Sequence, residues 1–381
     1  MIKTHTRSWA NGNWRVVPSA REAEATSCQL VFAFGSRDAI GRPEAYGELR
    51  SRFPEARIVL ASTAGEILGS EVSDDTIVAT GLAFESTSVH CVSANVKDYP
   101  NGRECGTALM SALPMKDLRA VFVFSEGSTV NGSDLTDGLN HANLLGVPIT
   151  GGLAGDGVRF ERSLCGLDGN VAPGSAVVIG LYGQDLLVGH GSRGGWVEFG
   201  QERFVSYSEA NVLYTIDGRS ALSLYKEHLG ADAAELPASA LLFPLSMRAP
   251  GTSKTLVRVI TSLDEANEAM SFAGNMPVGA RVRLMNSTSA MLVDAADIAA
   301  RNSREPFGSR DPEFALIVSC VGRRMMMKEK VADELTAVRK IMGPSTCITG
   351  FYSYGEVSPS DPNGPCDLHN QTMTITTLSE A

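Results

Sequence analysis

The sequence predicts an α/β protein of two related halves, with mixed, largely antiparallel β-sheets flanked by helices and produced by internal duplication. Three observations carry that reading. Short apolar segments alternate with helical stretches along the chain, as in 30–34 (LVFAF), 57–61 (RIVLA) and 120–124 (AVFVF). A Gly-acid pair closes a strand end at Gly65-Glu66, Gly155-Asp156 and Gly355-Glu356. The stretch 120–124 with its polar end matches 314–320, which runs into Gly322 and Arg323, and each precedes a helix. At 381 residues the chain is long for one hydrophobic core, so two domains or two fused halves are expected.

From the N-terminus, 30–34 reads as a buried strand, followed after Gly35 by a helix near 43–52 and a strand at 57–61. Residues 62–67 (STAGEI) form a small-residue turn. Segments 75–84 and 88–93 read as strands with no room for a helix between them, and so as antiparallel neighbours. A helix near 103–113 leads to strand 120–124. Asn131 or Ser133 can cap the next helix, with Asp134 in its first turn, where the helix dipole favours an acid. That helix ends before Gly146, and a short strand at 147–150 delivers the chain to the glycine cluster 151–157 (GGLAGDG). The cluster matches neither the dinucleotide nor the P-loop pattern. Gly151 and Gly152, with Asp156, instead predict a tight turn that exposes backbone amides to a closely approaching ligand. Strands at 175–181 and 185–189 run into His190 and then Trp196 among glycines, a packing anchor or one wall of a pocket.

In the second half, 214–219 leads into a helix at 221–229, with His228 in its last turn and Gly230 as its stop. Segments 241–246, 256–260 and 280–284 read as strands, 290–302 as a helix, 314–320 as a buried strand and 328–342 as an amphipathic helix. Last comes the stretch 347–377. Its arms, 348–356 with Tyr352 and Tyr354, and 369–377, read as a hairpin around a turn at 358–365 that carries three prolines. Alternation puts His369, Gln371, Met373 and Ile375 on one inward face and Asn370 on the other. The hairpin brings Glu356 near His369. An acid, an imidazole, an amide and two phenols at one end of a buried strand pair make a candidate ligand site; a hydrogen-bonded corner of the core is the plain alternative.

Composition excludes several classes. The net charge of −10 and the lack of a Lys/Arg run argue against a nucleic-acid partner. The start lacks the apolar core of a signal peptide, and no apolar run approaches the roughly 18 residues that span a bilayer. No membrane insertion and a cytoplasmic location are therefore expected. Seven scattered cysteines without CxxC spacing read as reduced thiols, with neither a zinc site nor a disulfide framework.

The stretches STAGEI, SEGSTVNGSDL, PITGGLAGDG, HGSRGGW, NVLYTIDGRSAL, GRR and TGFYSYGEVSP with CDLHNQTMTITT resemble the FIST family, from about residue 28 to the end. The resemblance implies a FIST-N-like domain at 1–215 and a FIST-C-like domain at 216–381. It implies a sensory protein rather than an enzyme, one that binds a small ligand such as an amino acid. With no transmitter or kinase segment in the chain, output would pass to a separate partner, a histidine kinase or a cyclic-di-GMP enzyme. The family also includes NosP-type members that bind haem b and sense nitric oxide. The chain has no CxxCH, so any haem would be held without covalent attachment, by an axial residue in an apolar slot with cations near its propionates. His369 is the first candidate ligand, His190 beside Trp196 the second and His228 the third. Arg193, Arg323 and Arg324 could meet the carboxylates of an amino acid or of a haem. The candidate ligand-binding set is therefore Gly151, Gly152, Asp156, Trp196, Arg323, Tyr352, Tyr354, Glu356, His369, Asn370 and Gln371. The enzyme alternative, an acid-base pair of Glu356 and His369, lacks a recognisable nucleophile.

Overall fold

Leu30–Gly35 and Phe314–Cys320 are buried at every residue, and Leu118–Ser125 at every residue but one. Successive side chains point to opposite faces of a strand, so a strand buried throughout needs cover on both sides. In the computed structural model, which describes residues 1–236, 238–362 and 364–381, each of the three lies inside its own sheet. Their inner residues, including Phe32, Phe34, Phe122, Phe124, Phe314 and Val318, meet in one shared core. Their outer residues meet helices: Val31 and Ala33 pack with Leu49 and Phe53, Val121 and Val123 with Leu135 and Leu139, and Ala315 and Ile317 with Leu335 and Val338.

The three sheets repeat one plan. A lead strand (Leu30–Gly35, Leu118–Ser125 or Phe314–Cys320) is followed by helix and by a parallel partner (Arg57–Ser62, Ile149–Leu153 or Cys347–Ser353). A return strand (Ile77–Ala83, Ser175–Tyr182 or Met373–Glu380) then runs antiparallel on the other side of the lead. Between partner and return strands, each unit sends a hairpin into a neighbouring sheet. Glu66–Leu68 pairs with Cys347–Ser353, Cys165–Leu167 with Arg57–Ser62, and Gly355–Pro359 with Ile149–Leu153. The exchange is cyclic, and so is a set of three backbone hydrogen bonds at the crossing: Ala64 N to Tyr352 O (2.7 Å), Gly155 N to Ser62 O (2.8 Å) and Tyr354 N to Leu153 O (3.1 Å).

Mixed, largely antiparallel sheets flanked by helices are thus present, and the repetition counts in threes. Residue 215, where the sequence places the division, lies in the strand Val212–Ile216, and two of the three body sheets take strands from both sides of it.

A fourth sheet is inserted at 197–286, between the strand Leu186–Arg193 and the helix Ser289–Arg304. Its outermost strands, Leu256–Arg258 and Ile260–Asp264, are separated in sequence only by Val259, so the sheet curls back on itself. The helix Ala221–Leu229 packs Leu222, Leu224, Tyr225 and Leu229 into the same core as Val205, Met270 and Val282.

Several expectations need correction. The strands near 75–84 and 88–93 are not paired with each other: Ile77–Ala83 belongs to the first sheet and Ser88–Asn95 pairs with Ser175–Tyr182 in the second. The two arms of the final hairpin do not pair with each other: Cys347–Ser353 and Met373–Glu380 flank Phe314–Cys320 in one sheet, while the actual hairpin, Gly355–Pro359 with Cys366–His369, belongs to another. Gly151 and Gly152 are not an exposed turn but the middle of the strand Ile149–Leu153. A Cβ on Gly151 would stand 1.9 Å from Val123 O, and one on Gly152 would stand 2.5 Å from the Val318 side chain. Close approach of neighbouring strands, rather than of a ligand, explains both glycines. Residues 241–242 end a 3₁₀ turn ahead of the strand Leu245–Arg248. The helix expected at 328–342 comes as Val321–Met327 and Val331–Met342 with a 3₁₀ turn between them.

Candidate functional site

The Gly-acid strand ends converge where the three sheets cross. Ala64, Gly155 and Tyr354 are equivalent by the cyclic hydrogen bonds, and two residues further on stand Glu66, Gly157 and Glu356. Glu66 and Glu356 occupy the same cradle. Glu66 accepts from the Thr63 hydroxyl and from both N–H (3.2 Å) and hydroxyl (2.6 Å) of Thr76. Glu356 accepts from Ser353 Oγ (2.6 Å) and from the N–H (3.1 Å) and hydroxyl (2.9 Å) of Thr372. Burial raises Glu66 to about 7 and Glu356 to about 8, against the pull of these donors. The third pair, Gly155-Asp156, is displaced by one residue. Asp156 is fully buried and takes Arg37 (2.8 Å), Arg159 (2.7 Å) and the Arg162 N–H (3.1 Å), an internal ion-pair cluster rather than a copy of the cradle.

Arg323 is buried within the body. It meets Glu334 at 2.7 Å and donates to the carbonyls of Gly194 and Leu292. Glu334 also receives the Tyr352 hydroxyl at 2.7 Å and the Ser319 hydroxyl at 3.3 Å. Arg323 and Tyr352 therefore spend their polar atoms inside the protein. Tyr354 stacks on Phe160 at 4.7 Å between ring centroids, and Arg324 pairs with Asp74. Arg193 lies at the end of the strand Leu186–Arg193. Trp196 packs with Met285, Leu292 and Met327, the anchor role, with its Nε1 buried and unpartnered.

His369, Asn370 and Gln371 lie at the seam between the body and the inserted sheet. His369 ends its strand directly opposite Glu356, as the hairpin expectation required, yet its Nε2 contacts Ser358 O at 3.0 Å while Glu356 is satisfied elsewhere. Burial lowers the proton affinity of the His369 ring, with Asp367 opposing. Gln371 is not on the His369 face of a continuous strand; it sits in a turn with φ +62°. Its Nε2 donates to Leu241 O at 2.7 Å across the seam, and its Oε1 has no partner. Asn370 is 1% exposed, and neither its Oδ1 nor its Nδ2 has a partner. Asn275 and Arg258 close the rest of the seam. Asn275 Nδ2 donates to Asp134 at 2.8 Å, and Arg258 Nη1 donates to Leu368 O at 3.0 Å. Burial lowers Arg258 to about 10.

Sequence reasoning missed Arg258 and Glu334. Each carried a signal: Arg258 is a lone charge in the apolar run LVRVI, and Glu334 shares the apolar face of its helix with Leu335, Val338 and Ile341.

A haem needs a free ring nitrogen facing a slot wide enough for the macrocycle. His369 contacts Ser358 O, and His190 Nε2 lies 3.2 Å from Pro362 O. His228 directs Nδ1 to Leu224 O at 2.7 Å and borders an apolar cleft with Phe199 and Tyr225, but that cleft measures ≈ 40 Å³, room for waters and not for a porphyrin. Each of these rings keeps its second nitrogen, so the carbonyl contacts orient the histidines without blocking a ligand, and it is the size of the cleft that excludes a porphyrin at His228. No helix among the described residues is long and apolar enough to cross a membrane.

Comparison with known proteins gives two family matches, the FIST N domain over residues 29–219 and the FIST C domain over 221–359. No curated protein matches. Similar solved structures include a cyanuric acid hydrolase from A. caulinodans (8% identity, TM-score 0.39, covering 100% of this chain and 99% of that one). A second cyanuric acid hydrolase, described as an evolutionary innovation by structural concatenation, shows 11% identity and a TM-score of 0.30 with both chains fully covered. Those likenesses are too distant to bear on this chain's activity. FIST domains are sensory, ligand-binding domains of signalling proteins, and this chain belongs to the FIST family.

Proposed function

We propose that this chain senses a small polar metabolite of amino-acid type, without haem, at the Asn370–Gln371 turn, and passes the signal to a separate partner such as a histidine kinase or a cyclic-di-GMP enzyme. The observation that carries the reading is the turn itself: three buried side-chain atoms, Asn370 Oδ1, Asn370 Nδ2 and Gln371 Oε1, have no partner in the protein. A buried, unpaired polar group costs about 1–3 kcal/mol. The primary amide offers a donor and an acceptor side by side, which suits a carboxylate, ammonium or amide. The turn lies under the inserted sheet, so a ligand reaching it favours an arrangement in which that sheet lifts from the body. Differential affinity for two packings is what couples binding to output. The haem-based nitric oxide reading would instead require a slot to open beside the second ring nitrogen of His369, the one not engaged with Ser358 O.

Asn370→Leu tests the proposal. Replacing the unpaired amide with an apolar side chain of similar size leaves the ligand-free protein as stable or about 1 kcal/mol more stable. The same change abolishes stabilisation by those L-amino acids that raise the melting temperature of the unaltered protein. Undiminished stabilisation in the variant would place the ligand elsewhere.

A further inference from the structure

A second cleft, of ≈ 580 Å³, opens at the start of the strand Cys347–Ser353, at the end away from Glu356. Small-molecule sites commonly measure about 300–1,000 Å³. One wall is the N-terminal hairpin Lys3–Ala10 with Asn13–Val17, which precedes the family match at residue 29. The others are the turn around Gly69 and the loop that leaves the helix Val331–Met342.

Two arginines face this space without a counter-ion. Arg339 is half-buried, and its Nη1 is fixed by the carbonyls of Gly343 (3.0 Å) and Thr346 (2.7 Å). Its Nη2 stands 3.6 Å from where a Cβ on Gly69 would be, so the glycine, at φ +65°, leaves that nitrogen open to the cleft. Arg15 uses Nε on Ser8 Oγ at 2.8 Å and keeps both terminal nitrogens free of side-chain partners. Among the described residues, no carboxylate lies within ion-pair distance of either arginine. Burial lowers Arg339 below the ordinary guanidinium range, although Cys347 and Asp311, the latter beyond ion-pair distance, act in the opposite sense. Ser19 and Ser70 add hydroxyls, while Glu71 stands at the rim and repels an anion from that wall.

We propose that this cleft binds a small organic oxyanion whose carboxylate or phosphate group is received by Arg15 and Arg339. Both groups present oxygens that match the planar guanidinium fork. The site is independent of the Asn370–Gln371 turn, and it is built partly from a segment outside the family match.

Isothermal titration with inorganic phosphate and with citrate, each at constant ionic strength and against sodium chloride, tests this. The expected result is saturable heat from at least one probe, weakened tenfold or more in Arg15→Gln and in Arg339→Gln and unchanged in Asn370→Leu. Phosphate alone would identify a phosphate-bearing ligand, and citrate alone a carboxylate. Arg339→Gln also loosens the 343–346 loop, so Arg15→Gln, on an exposed strand, is the deciding variant. Absence of saturable heat from both probes, or heat unchanged in Arg15→Gln, overturns the proposal.

Discussion

Glu66 and Glu356 hold their protons near neutral pH because burial outweighs the hydroxyl and amide donors around them. Their folded proton affinities lie above those of the unfolded chain, so their stabilising contribution is complete below about pH 4.5 and is lost as pH rises through about 7 and about 8. Urea denaturation across pH 5 to 8.5 therefore shows falling stability, by several kcal/mol on an order-of-magnitude scale. The double variant Glu66→Gln with Glu356→Gln flattens that slope, and an unchanged slope would show that these acids are not its source. Glu380 acts in the opposite sense: the donors of residues 85–87 and the N-terminal ammonium hold it at about 2 against burial, so its contribution fades as pH falls below 4.5. Arg323→Ala strands the buried Glu334 carboxylate and costs about 3–5 kcal/mol, whereas Arg324→Ala, which releases the exposed Asp74, costs far less. Chemical denaturation of both variants checks the contrast. At this scale the sequence was legible in part. Alternating strands and Gly-acid turns pointed to Glu356 opposite His369, but not to Arg323 being spent on Glu334, because a residue's partner across the chain leaves no local pattern.

Secondary-structure elements were easier to read than their pairings. Leu30–Gly35, Leu118–Ser125 and Phe314–Cys320 declare themselves by the apolar runs LVFAF, AVFVF and FALIV within them, and the helices by their caps, such as Asn131 accepting from the N–H of Ser133 and Asp134. The exported hairpins do not, because a short connection normally joins neighbours, and here Glu66–Leu68 leaves its own sheet to pair with a strand nearly three hundred residues later. The glycine cluster was misread for a related reason. Small residues signal close approach, and only the fold reveals whether the approaching group is a ligand or another strand. Gly151→Ala forces a Cβ against Val123 O at a backbone angle of φ +145°, so it costs several kcal/mol or prevents folding. Gly146→Ala meets open space and pays only for its positive φ, about 1 kcal/mol. Melting curves of the two variants separate packing from backbone strain.

On the scale of the whole molecule, three sheets interlock by cyclic exchange around one aromatic core, and the inserted sheet is attached through a seam of polar links beside one small apolar cluster, Val257 and Met285 with Trp196, Leu292 and Met327. Its polar links to the body include Arg258 to Leu368 O, Asn275 to Asp134, Lys254 to Asp367 and Gln371 to Leu241 O. Polar links of this kind release at lower cost than the shared core, so the seam is where the body and insert can change their packing. The family assignment supplies the sensory role, and under the proposed function a ligand at the Asn370–Gln371 turn acts on that packing. The most direct test is a thermal-shift screen of the twenty common L-amino acids against the unaltered protein and Asn370→Leu, after recording the absorption spectrum of the purified protein grown with ample haem. The expected result is a protein without a Soret band, stabilised by a subset of amino acids that do nothing for the variant. A Soret band that shifts with nitric oxide and is lost in His369→Ala, or amino-acid stabilisation equal in both proteins, would contradict it.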